Sequence, residues 1–401
     1  MDIAPIAKSL MRNRVGPILL ALQVAVTLGF LVNAFYIVND RIEEMNRPTG
    51  VDLENTFRIS VTGMDRDYSS ASSLPGDLQA IRAIDGVHAV TTTNSIPLGG
   101  SGWMTNFAVG PEEDAHDVVG AQYMVGETAL EAFGLELVAG RGFRPEEIHD
   151  YARGESMVIQ SAILTRAVAD QLFPEGDAVG RSLYMPHAGP TQIVGVVDFL
   201  GTPWASFGDY DLSVLVPLVD TGPHTDLVVR AEPGRLDEVM PKVEQALIDR
   251  DPSRLVHRQI ALAEVASEAY EDHRAMSIIM VTVGAMLLVV NVLGIVGLAS
   301  FQVNRRRRQI GTRRALGASR GTIVRHFMTE TGIIVTVGLA AGLLLTIGIN
   351  FAMMRLLEFD RLDLTWLPPA AAILFVLGQI AVLGPARRAA SIPPAIATRA
   401  S

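Results

Sequence analysis

No charged residue occurs between Arg14 and Asp40, where the chain reads VGPILLALQVAVTLGFLVNAFYIV over residues 15–38. Three more uncharged runs follow, at 275–303, 331–354 and 367–385. A hydrocarbon core of ~30 Å is crossed by ~20 apolar residues as helix, so each run is long enough. Inside lipid every backbone N–H and C=O must be satisfied within the segment, which selects helix for isolated spans. Four transmembrane helices are therefore expected, one N-terminal and three C-terminal. The first run is too long for a cleaved leader and lacks a small-x-small site near its end, so it is read as an uncleaved anchor.

Charge sorts the remainder. The formal charge is −10 over 401 residues, and 49% of the residues are hydrophobic. Residues 39–274 hold 17 basic against 38 acidic side chains, a net of −21, whereas 1–38, 304–354 and 386–401 together carry a net of +12. Basic segments stay on the cytoplasmic side. The segment 1–14 (Lys8, Arg12, Arg14), the elbow 304–330 with eight arginines, and the tail 386–401 are then cytoplasmic. Region 39–274 and the loop 355–366 fall outside. Tyr36 and Trp366 sit at outer span ends, where interfacial aromatics belong. An acidic main domain excludes nucleic-acid binding, and the apolar content excludes disorder.

The spans carry Gln23, Asn33, Asn291, Asn350 and Gln379 but no ionisable residue, which argues against a proton or ion pathway through them. Gly338 and Gly342 form a G-x-x-x-G that lets helices approach closely. Packing inside one subunit and a seam between two subunits both remain open.

The outer region reads as α+β with two lobes. A βαβ unit is expected near 55–93, with Leu74, Leu78, Ile81 and Ile84 at helical spacing, and another near 225–260, with Val239, Val243 and Leu247 on one helix face. Between them, 100–222 is read as an inserted lobe of short strands with Gly and Pro turns. No His pairs with another at metal-ligand spacing and there is no Cys, so neither a metal centre nor thiol chemistry is expected. Glu112, Glu113, Asp114 and Asp117 read as a solvated acidic loop. Trp204, Phe207 and Tyr210 form an aromatic loop that either meets a partner or packs back on its lobe. No catalytic site emerges.

The elbow is the informative stretch. Ile310, Ala315 and Leu316 alternate with Arg313 and Arg314 in a short amphipathic helix. Gly317-Ala318-Ser319 breaks it, with Ser319 placed as N-cap of a helix running into the third span. Topogenic arginine alone does not require that ordered pattern.

Gln309-Ile310-Gly311-Thr312-Arg313-Arg314-Ala315-Leu316-Gly317-Ala318 resembles the cytoplasmic loop of the MacB/FtsX-like permeases of ABC transporters, the type VII or mechanotransmission family. The tail Pro385-Ala386-Arg387-Arg388-Ala389-Ala390 and the outer stretches 125–143, 163–184 and 193–197 are also similar, so the resemblance covers essentially the whole chain. Two positions depart from the family pattern: Gln309 and Ile396 stand where Glu is usual. The resemblance implies a non-catalytic permease subunit whose elbow, Ile310 to Ala318, contacts a separate ABC-type ATPase. It implies a second permease, identical or homologous, in a dimer in the bacterial inner membrane, and leaves room for a periplasmic adaptor or outer-membrane channel. This chain itself has no P-loop: its only lysines are Lys8 and Lys242, and neither has the required neighbours. ATP and Mg would bind through the partner. Export or extraction of a substrate by mechanotransmission is the expected function. The alternative is an FtsX-like regulator of an extracytoplasmic hydrolase or signalling partner, without transport.

Overall fold

The computed structural model describes residues 14–65, 68–112, 114–152, 157–186, 188–257, 259–357 and 364–393. Lys8, Arg12, Glu113, residues 358–363 of the loop 355–366, and Ile396 with Arg399 lie outside the described residues. The chain opens with helix α1 (Val15–Met45), which continues beyond the uncharged run through its last charged turns. Strand β1 (Thr56–Gly63), helix α2 (Ser70–Arg82) and strand β2 (Val87–Thr93) follow. Next come β3 (Trp103–Ala108), β4 (Asp117–Met124), α3 (Ala129–Phe133), β5 (Leu137–Gly140), β6 (His149–Tyr151), β7 (Ser161–Thr165), α4 (Arg166–Leu172), β8 (Ser182–Met185), β9 (Gly189–Val197), β10 (Ser213–Val216) and β11 (Leu218–Asp220). The chain then returns through β12 (His224–Ala231), α5 (Leu236–Arg250), β13 (Arg254–Val256), β14 (Ile260–Ala261) and α6 (Leu262–Ala269). Four helices end it: α7 (Glu271–Arg305), α8 (Arg307–Ala315), α9 (Arg320–Leu357) and α10 (Leu367–Ala390).

Two compact units result, one of residues 44–272 and one built from 1–43 with 273–401. In the first, β12 lies between β1 and β2 and is antiparallel to both, while β13 pairs with the far edge of β1. Each βαβ unit therefore encloses a strand of the other, as in a split βαβ pair. Alternation puts Phe57, Ile59 and Val61 of β1 and Leu227 and Val229 of β12 on one face. There they form a buried core with Leu74 and Ile81 of α2 and Val239, Val243 and Leu247 of α5. Asp77 ties α2 to the sheet through Arg254 of β13, at 2.5 Å, and to α5 through Arg250, at 2.9 Å.

The insert forms a seven-stranded sheet in the order β5-β9-β7-β10-β4-β3-β8. A further pairing of β8 with β9, antiparallel from Ser182↔Gln192 to Met185↔Gly189, closes six of these strands into a ring. The long strand β9 makes this possible, because its first half pairs with β8 and its second with β5.

In the other unit, α1, α7, α9 and α10 are each long and apolar enough to cross a membrane. Leu20 and Val24 of α1, Ile295 and Ala299 of α7, Ile334 and Val335 of α9 and Ala381 and Val382 of α10 share one buried cluster. The G-x-x-x-G of α9 faces α1 of the same chain. A Cβ at Gly338 would lie 2.7 Å from the Ala21 carbonyl oxygen, and one at Gly342 would lie 3.0 Å from that of Ala25. These glycines therefore serve packing within one subunit, and the reading of them as a seam between subunits is set aside. Asn291 of α7 donates to Thr27 Oγ1 of α1 at 3.0 Å, a polar tie inside the bundle.

Candidate coupling site

The elbow is two helix ends and a helix start in quick succession. At the end of α7, Arg306 adopts φ −100°, ψ 13°, and α8 begins with the next residue. At the end of α8, Leu316 is the C-cap and Gly317 takes φ +96°, a left-handed conformation that glycine adopts without steric cost. The Gly317 N–H donates to the Arg314 carbonyl at 3.1 Å and the Ala318 N–H to the Arg313 carbonyl at 3.0 Å. This 5→2 and 6→1 pair is a Schellman stop, and it gives the Leu-Gly-Ala order a physical basis. Ser319 then accepts from the Thr322 N–H at 3.2 Å, the N-cap expected of it.

The inner side of α8 is tied down. Ile310 and Gly311 are buried, and Ile310 belongs to the cluster that includes Val303, Ile323, Phe327, Ala386 and Ala389. Arg314 donates through Nη1 to the carbonyls of Ala390 at 2.6 Å and Ile392 at 3.2 Å. A cation there meets unsatisfied carbonyls and the negative end of the α10 dipole. A second tie joins Arg306 Nη1 to Glu330 Oε2 at 2.9 Å, with the Glu330 side chain 2% exposed. The outer side is open to solvent. Arg313, Ala315 and Gly317 are exposed, Ala318 is half-buried, and Leu316 is 83% exposed, an apolar knob on an arginine-rich surface.

The eight residues expected to couple to an ATPase thus divide into an anchored side (Ile310, Gly311, Arg314) and a presented side (Arg313, Ala315, Leu316), joined by the Gly317-Ala318 stop. Glu330, which the family resemblance marks as a frequent Glu, pairs here with Arg306, a contact that spacing did not single out. The available signal was a lone carboxylate beside an apolar span, a group costly to bury without a partner.

The aromatic loop belongs to the other unit. Tyr210 is 4% exposed, and its ring lies 6.2 Å from that of Phe199. It is therefore core, and exposure of Tyr210 to a partner does not hold. Trp204 and Phe207 are half-buried with ring centroids 6.2 Å apart. Among the described residues, no three His, Asp or Glu side chains are placed to hold a metal ion.

A single apolar helix, an α+β unit with an inserted lobe, three further apolar helices and a stopped elbow define a multi-pass permease. The chain belongs to the MacB/FtsX-like ABC permease family: residues 18–246 match the MacB-like periplasmic core domain, and residues 281–394 match the FtsX-like permease C-terminal domain. It is 25% identical over 396 residues to the macrolide export ATP-binding/permease protein MacB of Chromobacterium violaceum, covering 95% of this chain and 58% of that protein. It is 26% identical to the uncharacterized ABC transporter permease YvrN of Bacillus subtilis, covering 69% of each. The chain spans little more than half the length of the Chromobacterium violaceum relative. Among solved structures, the periplasmic region of MacB from Actinobacillus actinomycetemcomitans aligns with a TM-score of 0.35 and 12% identity, covering 57% of this chain and 98% of that one.

Proposed function

We propose that this chain is the permease subunit of an ABC exporter, and that an ATPase on a separate chain docks on the presented side of the elbow. The observation that carries the reading is Leu316, an 83% exposed leucine on a helix whose opposite side is buried and hydrogen-bonded. A loose loop would absorb a push by deforming. A helix fixed by Ile310 and by Arg314 passes the displacement to α9 and α10 instead. The arginines favour a cytoplasmic elbow, with the N-terminal segment and the tail on the same side and residues 39–274 outside. With no ionisable residue in the uncharged runs, force carried to the outer unit suits the chain better than passage of an ion between the helices. A second permease, identical or homologous, completes the assembly, and ATP and Mg bind through the ATPase. Export then acts on substrate already outside, with or without an adaptor or outer-membrane channel.

Leu316→Asp tests the docking. The side chain is exposed, so folding and topology stay as they are, and co-purification of a P-loop-bearing chain in mild detergent is expected to be lost. Undiminished co-purification refutes the reading.

A further inference from the structure

In the 44–272 unit, residues 228, 226 and 224 of β12 project from the same sheet face. Val228 is fully buried in the core of the inserted lobe. Two residues earlier stands Asp226, its side chain 16% exposed, and two earlier again His224, 52% exposed. The sealed contact between the lobes thus opens into a cleft of about 340 Å³, within the ~300–1,000 Å³ of small-molecule sites. Trp103, Met124 and Tyr151 also line it. The Trp103 and Tyr151 rings meet edge to face, with centroids 6.0 Å apart at 90°.

Two carboxylates line the cleft against a single histidine, His224, whose bond to Asp226 holds it above the usual imidazole range although burial partly opposes this. Asp220 and Asp226 line it, and neither Lys nor Arg does. Asp226 accepts from Ser60 Oγ, and His224 Nε2 lies 3.4 Å from its Oδ1. Burial alone would raise the Asp226 carboxyl, but the bonds from His224 and Ser60 outweigh it and hold the group below the usual carboxylate range. The site therefore offers a carboxylate and aromatic rings in the lining of one cleft. A metal ion would leave the aromatic wall unused, and an anion would meet two carboxylates. An ammonium group gains from both the carboxylate and the ring faces.

We propose that this cleft binds a small organic amine, with its ammonium at Asp226 and its apolar body against Trp103 and Tyr151. The site lies within one chain and stands independently of ATPase docking at the elbow.

The test uses the full-length chain in detergent with Trp204→Phe and Trp366→Phe, which leaves Trp103 as the only tryptophan of three. The probes are 2-phenylethylamine and its anionic counterpart 3-phenylpropionate, followed by Trp103 fluorescence. The amine is expected to give a saturable change at least about tenfold tighter than the anion, the scale of ~1.4 kcal/mol for one charge contact. Asp226→Asn keeps an acceptor for Ser60 and is expected to weaken the amine about tenfold while leaving the anion no weaker. Equal responses to both probes, no saturable response, or an Asp226→Asn variant that binds amine normally would each overturn the proposal. Should that variant fail to fold, equilibrium dialysis of the two probes against the unsubstituted chain decides by the same tenfold criterion.

Discussion

Substituting Gly338 by Ala adds one methyl where the structure has no room. The new Cβ would lie 2.7 Å from the Ala21 carbonyl oxygen and 2.8 Å from Val24 Cβ. Both are well inside van der Waals contact, and the first obstacle is backbone, which cannot turn aside as a side-chain tip can. Helix α1 must retreat, opening gaps along its seam with α9 and losing the dispersion contacts there. Overpacking of this kind costs ~1–3 kcal/mol. At Gly342 the same methyl would stand 3.0 Å from the Ala25 oxygen, so the cost is smaller, and at Gly348 nothing lies within 4 Å. Melting of the detergent-solubilised chain, followed through Trp366 with Trp103 and Trp204 replaced by Phe, is expected to rank the variants in that order. On a scale of ~2–4 °C per kcal/mol, Gly338→Ala should lower Tm by about 2–12 °C, and Gly348→Ala should barely move it. The assay also separates packing within the chain from a seam between copies. An intrachain loss is the same at every protein concentration, whereas stability drawn from association falls on dilution. If the wild-type Tm drops to that of Gly338→Ala on dilution, the intrachain assignment is refuted.

Asp77 and Arg254 form a pair with side chains only 5% and 2% exposed. Asp77→Ala leaves the buried Arg254 guanidinium with Asp251, at 3.4 Å, in place of its closest carboxylate, expected to cost up to ~3–5 kcal/mol, or as much as roughly 6–20 °C in a melt read from Trp103 and Trp204. Arg250→Ala removes a partner that is 42% exposed and should cost ~0–1 kcal/mol; equal effects would contradict the assignment. Arg314→Ala removes the charged donor to the Ala390 and Ile392 carbonyls, worth ~1.5–3 kcal/mol. Amide hydrogen exchange over 387–393 is expected to quicken by about ten- to a hundredfold, and unchanged protection would show that α8 is not held by this contact.

What was readable in the sequence followed the range of the forces involved. The four apolar helices were legible because a span is a local property: some twenty uncharged residues decide it alone. The Gly317-Ala318-Ser319 break was legible for the same reason, since a C-cap and an N-cap each act within a few residues. The interleaving of β12 between β1 and β2 was not, because periodicity marks a strand and carries no information about its neighbour. Asp77 and Arg254, 177 residues apart, read as two ordinary surface charges until folding brings them together. The loop aromatics show the same limit. Trp204, Phe207 and Tyr210 look alike in sequence, yet only Tyr210 sinks into the core, where Gly201 leaves room beneath its ring. Gly338 and Gly342 announce a close approach in either setting, and only the folded chain shows that the approaching backbone is that of α1.

The strand order of the first lobe also sets a timetable for synthesis. Neither β1 nor β2 can complete its ladder until β12 leaves the ribosome, and β12 ends at Ala231. At ~5–20 residues per second, the stretch from Thr93 to Ala231 takes roughly 7–28 s. Throughout that interval the nascent βαβ unit waits with open strand edges, the kind of surface that pairs with neighbouring chains. The strands of the inserted ring lie together between residues 103 and 216, so they can close first. The late-arriving β12 then threads between two strands that have been waiting beside an already finished lobe. Substitutions that slow the ring's closure are therefore expected to lower yield by aggregation even where the finished protein is as stable as before.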